Sequence, residues 1–379
     1  MLLGKRCVNS ADGRVGRCQP EVNRPPRWLA VKATWAKPWR WKLIANWQAA
    51  QWGSEALVNQ EDAEALDLAV VELKALKFAV LEFAVLERER MVLAWPWMQE
   101  HQRDLPWRKT RDPWAVLVAE LMLQQTQVSR VLERWPLFLE QFPSAEVAAQ
   151  AGSAAIVTAW RGLGYNRRAL ALHRCATIVS ERHNGTLPCT LSELLALPGI
   201  GEYTARAVLA FAFARPAAIV DTNVARIIAR AFAGAPLSWR DVQQRADACV
   251  TPESNAEWVW GWNQGMLDLG ATVCTKRSPR CQVCPIQTHC RWQRNGGVFP
   301  DPATGSAGVG TTQSRFEGSD RQGRGRLIDA LREGPVPFDK LSEAMGWPQD
   351  TSRSDRVVKT LLKDGLVARD ETTGLFLLA

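Results

Sequence analysis

An all-α core followed by a small winged-helix-like module is the fold class this sequence predicts, and three observations carry it. Between residues 95 and 295 apolar positions recur at helical spacing, and strand alternation is almost absent. A Gly-, Ser- and Thr-rich stretch, 296–323, then interrupts the pattern with little apolar content and reads as a linker. The last segment, 324–379, reads as helices followed by two short apolar stretches around a polar turn, the order of a winged helix-turn-helix.

In chain order, residues 1–94 form an N-terminal extension expected to be poorly ordered. Its first half is rich in Trp, Arg and Pro, and its second half is acidic and helix-compatible. A tandem repeat runs from Phe78 to Glu82 and again from Phe83 to Glu87. A period of five cannot keep one face of a 3.6-residue helix aligned, so the repeat is a poor coiled coil. A later natural start, at Met91, is an equally plain reading, and a transit peptide is a third. From Trp95 the character changes. Asp112-Pro113 looks like an N-cap with proline at the first helical position, opening an apolar helix that runs to about Leu132. Further helices are expected over 145–160, 167–182, 191–195, 203–213, 223–233, 239–249 and 256–269. In the tail, helices are expected over 324–333, 337–344 and 352–364, with strands at 366–368 and 375–378.

The 379 residues carry 47 Lys and Arg against 39 acids, a formal charge of +8. That excess favours an anionic partner without naming one. No apolar run is long enough to cross a bilayer, and no secretion signal opens the chain; a cytoplasmic protein without a membrane partner is expected. Of nine cysteines, four crowd between Cys274 and Cys290, a grouping that suggests metal rather than a disulfide framework.

Four features carry chemistry. Leu197-Pro198-Gly199-Ile200-Gly201 lies between two helices, the first opened by a capping box, Thr190 to Glu193. Its glycines permit a sharp turn and leave backbone N–H groups uncovered beside a helix N-terminus, a seat for a phosphate; the plain alternative is an ordinary corner. Asp221 follows an apolar stretch, 217–220, at the start of a helix beside Asn223; read alone, it is an N-cap. Glu120, Gln124 and Gln127 stand at i, i+4 and i+7 of the expected apolar helix. They are either a solvated stripe or, with one acid and two amides, a pocket for a purine edge. Cys274, Cys281, Cys284 and Cys290 have thiolate-ligand spacing for an iron–sulfur cluster or zinc. Lys276, Arg277 and Arg280 lie within that loop, placed to face phosphates.

These four features, with Leu105-Pro106-Trp107-Arg108 and Gly162-Leu163-Gly164-Tyr165, occur in the order and with the gaps of the MutY family of adenine DNA glycosylases, within the helix-hairpin-helix superfamily. The resemblance covers roughly residues 95–295. It implies a two-subdomain helix-hairpin-helix glycosylase fold with a 4Fe–4S cluster on the four cysteines. The implied partner is double-stranded DNA carrying adenine opposite 8-oxoguanine or guanine, and the implied state is a monomer. It gives Glu120 the role of general acid and Asp221 that of stabilising the sugar cation. Tyr203 positions the sugar, Gln124 and Tyr165 probe the opened stack, and Asn223 orients Asp221. Where endonuclease III enzymes carry a Schiff-base Lys, this chain has Tyr203, which implies a monofunctional enzyme. The tail is too short for the Nudix-like domain of most relatives and resembles the shorter tail of some bacterial members. A thymine-mismatch or pyrimidine glycosylase on the same scaffold, and a non-catalytic iron–sulfur DNA-binding regulator, are the competing readings.

Overall fold

The computed structural model describes residues 91–306 and 315–379, which belong to one compact unit, 90–379. The tandem repeat and most of the expected extension lie outside the described residues. The extension's expected boundary is corrected by its end. Residues 91–100 are helical, with Ala94 and Met98 buried.

Helix α1 spans Pro113–Leu123, with Pro113 at its first turn and the Asp112 carboxylate accepting from the Trp114 and Ala115 amides at 3.1 and 3.2 Å. Every residue from Trp114 to Met122 is buried, so α1 runs through the core rather than along it. It ends at Leu123, nine residues before the expected Leu132. Gln124, at φ −58° and ψ 109°, has left the helical region, and Gln125 adopts a φ of 56°. The stop comes from a distant residue. Arg168, buried on α4, donates through Nη1 to the carbonyls of Leu121, Met122 and Gln124 at 2.8, 2.9 and 2.5 Å. Those acceptors have no continuing helix to bond them.

Helix α2 (Val128–Gln141) starts after that turn. Helices α3 (Ala145–Ala159) and α4 (Arg167–Arg182) form an antiparallel pair, and α5 (Leu191–Leu195) leads through the glycine turn into α6 (Glu202–Phe211). Helix α7 (Thr222–Ile227) continues as a π-helical turn, Ile228–Ala233, closed by Gly234. Helices α8 (Trp239–Cys249) and α9 (Ala256–Thr272) complete the core. Helix α9 carries a glycine face. Gly261 lies against Trp95, Gly265 against Met98, and Gly270 against Asn223, where a Cβ would stand 2.6 Å from the Asn223 Cβ. Trp95 also stacks on Trp258, ring centroids 5.3 Å apart, which fastens the 91–100 helix to α9.

The cysteine loop follows, then the short helix α10 (Arg291–Arg294). The expected linker is only partly one. Asp301 is ion-paired to Arg230 at 2.5 Å, Ala303 is buried, and the buried Ser306 hydroxyl accepts from the Leu237 amide at 3.0 Å, so 301–306 is packed on the core. The tail begins earlier than expected, with α11 (Asp320–Glu333) capped by Ser319, followed by α12 (Leu341–Ala344) and α13 (Thr351–Asp364). Strands β1 (Val367–Arg369) and β2 (Phe376–Leu378) pair antiparallel with Val367 opposite Leu378, and Val336 bridges to Phe376. Leu327, Leu331, Leu341, Val357, Leu361 and Phe376 fill this module's core. No helix among the described residues is long and apolar enough to cross a membrane.

Candidate active site

Three elements deliver the central groups. Helix α1 brings Glu120, the first turn of α6 brings Tyr203, and the N-cap of α7 brings Asp221. Glu120 sits among apolar neighbours on α1 and is only 6% exposed. Burial pushes its carboxyl up to about 7. The Tyr203 hydrogen bond and the Arg108 charge oppose that rise, and the Asp221 charge adds to it. Burial also pushes the Tyr203 phenol well above its ordinary value, reinforced by the charges of Glu120 and Asp221. Tyr203 is thus a neutral donor to Glu120. Two acids 101 positions apart in sequence are close enough for their charges to repel, and both act on Tyr203.

The Asp221 carboxylate caps α7 and does so fully. Oδ1 accepts from the Asn223 and Val224 amides at 2.8 and 2.7 Å, and Oδ2 accepts from the Asn223 side-chain amide at 2.7 Å. The capping reading holds, and the cap fixes the direction in which the carboxylate points. Asn223 is held in turn by Arg226, whose Nη2 donates to Asn223 Oδ1 at 2.8 Å and to the Gly270 carbonyl at 2.7 Å. The Arg226 Nε donates to the Cys274 carbonyl at 2.6 Å.

The glutamines divide. Gln124 Nε2 donates to Thr204 Oγ1 at 3.1 Å, tying the end of α1 to the residue beside Tyr203. Gln127 is exposed at the N-cap of α2, beyond the turn. The expected single face of Glu120, Gln124 and Gln127 is corrected: the i, i+4, i+7 rule holds only within one helix, and Arg168 ends this one at Leu123. Tyr165 has a φ of 48°, is 41% exposed, and lies over the Arg168 guanidinium at 5.4 Å. In the glycine turn Leu197 is buried, and Gly199 has a φ of 77°, where a Cβ would stand 2.7 Å from the Ala171 Cβ. Gly201 caps α6 without any side-chain acceptor on the first-turn amides, as a phosphate seat requires.

A buried arginine–aspartate cluster beside Glu120 was not given a role from the sequence. Arg108 makes a two-pronged pair with Asp268, at 2.7 and 2.8 Å, and Arg103 Nε donates to the same carboxylate at 2.5 Å. Burial alone would raise the Asp268 carboxyl; the bonds and charges of Arg108 and Arg103 outweigh it and hold it below the usual range. Asp268 thus fixes the cation beside Glu120. It is an acid buried among apolar residues in the second half of α9, as Glu120 is on α1.

Cys274, Cys281, Cys284 and Cys290 border one cavity, lined also by Ile286 and Trp292. Among the described residues no group of His, Cys, Asp or Glu closes on a point that would hold a single ion. Four thiols around a cavity fit a polynuclear cluster better than zinc. Arg230, 2% exposed, donates to Cys274 Sγ at 3.5 Å and to the Thr275 and Lys276 carbonyls at 2.8 and 3.1 Å, and stacks on Trp292 at 5.0 Å.

Residues 118–249 match the family model of HhH-GPD superfamily base excision DNA repair proteins, and residues 274–290 match the iron–sulfur binding domain of endonuclease III. A solved thermostable thymine-DNA glycosylase superposes with a TM-score of 0.50 at 26% identity, covering 56% of this chain and 98% of that one. Fold and site together define a helix-hairpin-helix DNA glycosylase with a 4Fe–4S cluster on its four-cysteine loop. The adenine DNA glycosylase of Mycolicibacterium smegmatis is 42% identical over 287 residues, covering 75% of this chain and 94% of its own. The thymine/uracil-DNA glycosylase of Pyrobaculum aerophilum is 37% identical over 199 residues, covering 50% and 85%. On the breadth of the first match, the chain belongs to the adenine DNA glycosylase family.

Proposed function

We propose that the chain is a monofunctional glycosylase that removes adenine opposite 8-oxoguanine or guanine in duplex DNA, working as a cytoplasmic monomer in base excision repair. The observation that carries this reading is a buried, protonatable Glu120 bonded to Tyr203 beside the fully capped carboxylate of Asp221. A flipped purine leaves poorly as an anion. Glu120 donates its proton to the adenine ring as the bond to C1′ breaks, so the electron pair departs on a neutral base. Asp221 faces the positive charge that develops on the sugar, as a carboxylate does in glycoside hydrolysis. Water adds to C1′ and returns a proton to Glu120, leaving an abasic site. Tyr203 holds Glu120 in place and cannot form an imine, so no borohydride-reducible Schiff base with the sugar arises there.

Gln124 and Tyr165 meet the opened stack, Gln127 lies at its margin, and Leu197, Gly199 and Gly201 seat a phosphate. When bound, the iron–sulfur cluster supplies thiolate anchoring that orders the loop 274–290 and presents Lys276, Arg277 and Arg280 to the backbone. We also take 301–306 as the end of the catalytic domain, and the segment after Ser319 as a separate winged-helix-like domain.

A panel of duplexes bearing A·8-oxoG, A·G, T·G and thymine glycol tests the reading. Adenine release from the first two is expected, with no adduct on borohydride treatment. Thymine release, or a trapped adduct, overturns it.

A further inference from the structure

The C-terminal module touches the DNA-facing side of the core at two separate points. Arg321 of α11 donates to the Tyr165 hydroxyl at 3.4 Å. At the second point, Lys363 and Asp364 of α13 line an open groove whose other walls are Arg167 and Arg174 of α4 and Pro198-Gly199 of the glycine turn. The docking is firm. Arg332 Nη2 donates to the Val157 carbonyl at 2.8 Å and to Asn166 Oδ1 at 3.1 Å, and Arg161 pairs with Glu333. The module is therefore held beside the phosphate seat.

Charge in the groove is one-sided. Its single acid, Asp364, is taken up by Arg167, with Nε to Oδ2 at 2.7 Å, and by Arg324 at 2.5 Å. Arg174 and Lys363 are exposed, and Lys359 is exposed one turn before Lys363 on the same face of α13. A strand leaving the glycine turn meets this cationic wall next, and backbone phosphates are the chemistry it fits.

We propose that the C-terminal module is a second duplex-binding surface, with Lys359 and Lys363 gripping backbone phosphates next to the strand seated on Leu197–Gly201. The proposal rests on the glycine turn being a DNA seat and adds a partner to a module with no assigned role.

The test is the salt dependence of binding to a long duplex carrying an uncleavable tetrahydrofuran abasic site opposite guanine. Wild type is compared with a Lys359→Ala/Lys363→Ala double variant and with Lys340→Ala, which removes another exposed charge, one paired to Glu343. Each lost phosphate contact flattens the plot of log affinity against log salt by about 0.9. The double variant is expected to lose about 1.8 from the slope, so that over a fourfold rise in salt wild type loses about tenfold more affinity than the variant. Lys340→Ala keeps the wild-type slope. All three chains keep the same melting temperature. An unchanged slope in the double variant, or an equal loss in Lys340→Ala, overturns the proposal. Wild type failing to bind the duplex at all overturns the parent reading instead.

Discussion

Glu120 illustrates how one buried group ties catalysis to stability. Its folded-state value of about 7 lies above the ordinary 4.5. The folded chain therefore holds a proton that the unfolded chain releases between those values. Stability falls as pH rises through that window, and the full penalty, about 3 kcal/mol, is present above it. Glu120→Gln removes the titrating group. The variant is expected to melt above wild type at pH 8, to match it near pH 4, and to release no adenine at either. For wild type, single-turnover base release is expected to fall about tenfold for each pH unit above about 7, because the acid must be protonated to act. Thermal melts and a rate profile over pH 5–9 check both. A flat rate profile across that range would contradict the assignment of Glu120 as the acid.

At the level of elements, the glycine face of α9 decides how near the backbone comes to the site. A methyl group at Gly270 would stand 2.6 Å from the Asn223 Cβ and 3.1 Å from its carbonyl. Neither neighbour is the free end of a flexible chain, so α7 must shift. Gly270→Ala is expected to destabilise the fold by about 1–3 kcal/mol and to slow excision by about a hundredfold, since displacing Asn223 re-aims Asp221. Denaturant melts and single-turnover rates measure the two effects; wild-type rates would show that the contact is not transmitted. The cysteine loop is the other decisive element. Cys284→Ser is expected to lose the brown cluster absorption and to weaken duplex binding, because the loop that presents Lys276, Arg277 and Arg280 loses its anchor. Visible absorbance and a binding titration on the same preparation decide it.

Across the whole molecule, what was legible in the sequence follows from the range of the interactions. The helical core, the winged module, the four thiols and the lone acid Glu120 show in residue type and local spacing, whereas Asp221, which read alone is an N-cap, and Tyr203 stand out only through the family resemblance. The boundary of α1 shows in neither, because Arg168, more than forty residues away, supplies its terminal hydrogen bonds. Nor does Asp268, whose partners Arg103 and Arg108 lie 165 and 160 positions distant. The packing of 301–306 was hidden for the same reason. A polar, glycine-bearing composition reads as a linker, while the Arg230–Asp301 pair that fastens it is visible only in three dimensions.

Arg168 has a consequence beyond ending a helix. The guanidinium that binds the carbonyls of Leu121, Met122 and Gln124 also binds those of Leu163 and Gly164, both at 3.0 Å, and supports the Tyr165 ring. One rivet thus joins the two segments proposed to meet an opened helix, so neither can travel without the other. On that proposal, entry of a base becomes an act of the nucleic acid, which has to kink to suit a jaw of fixed gape.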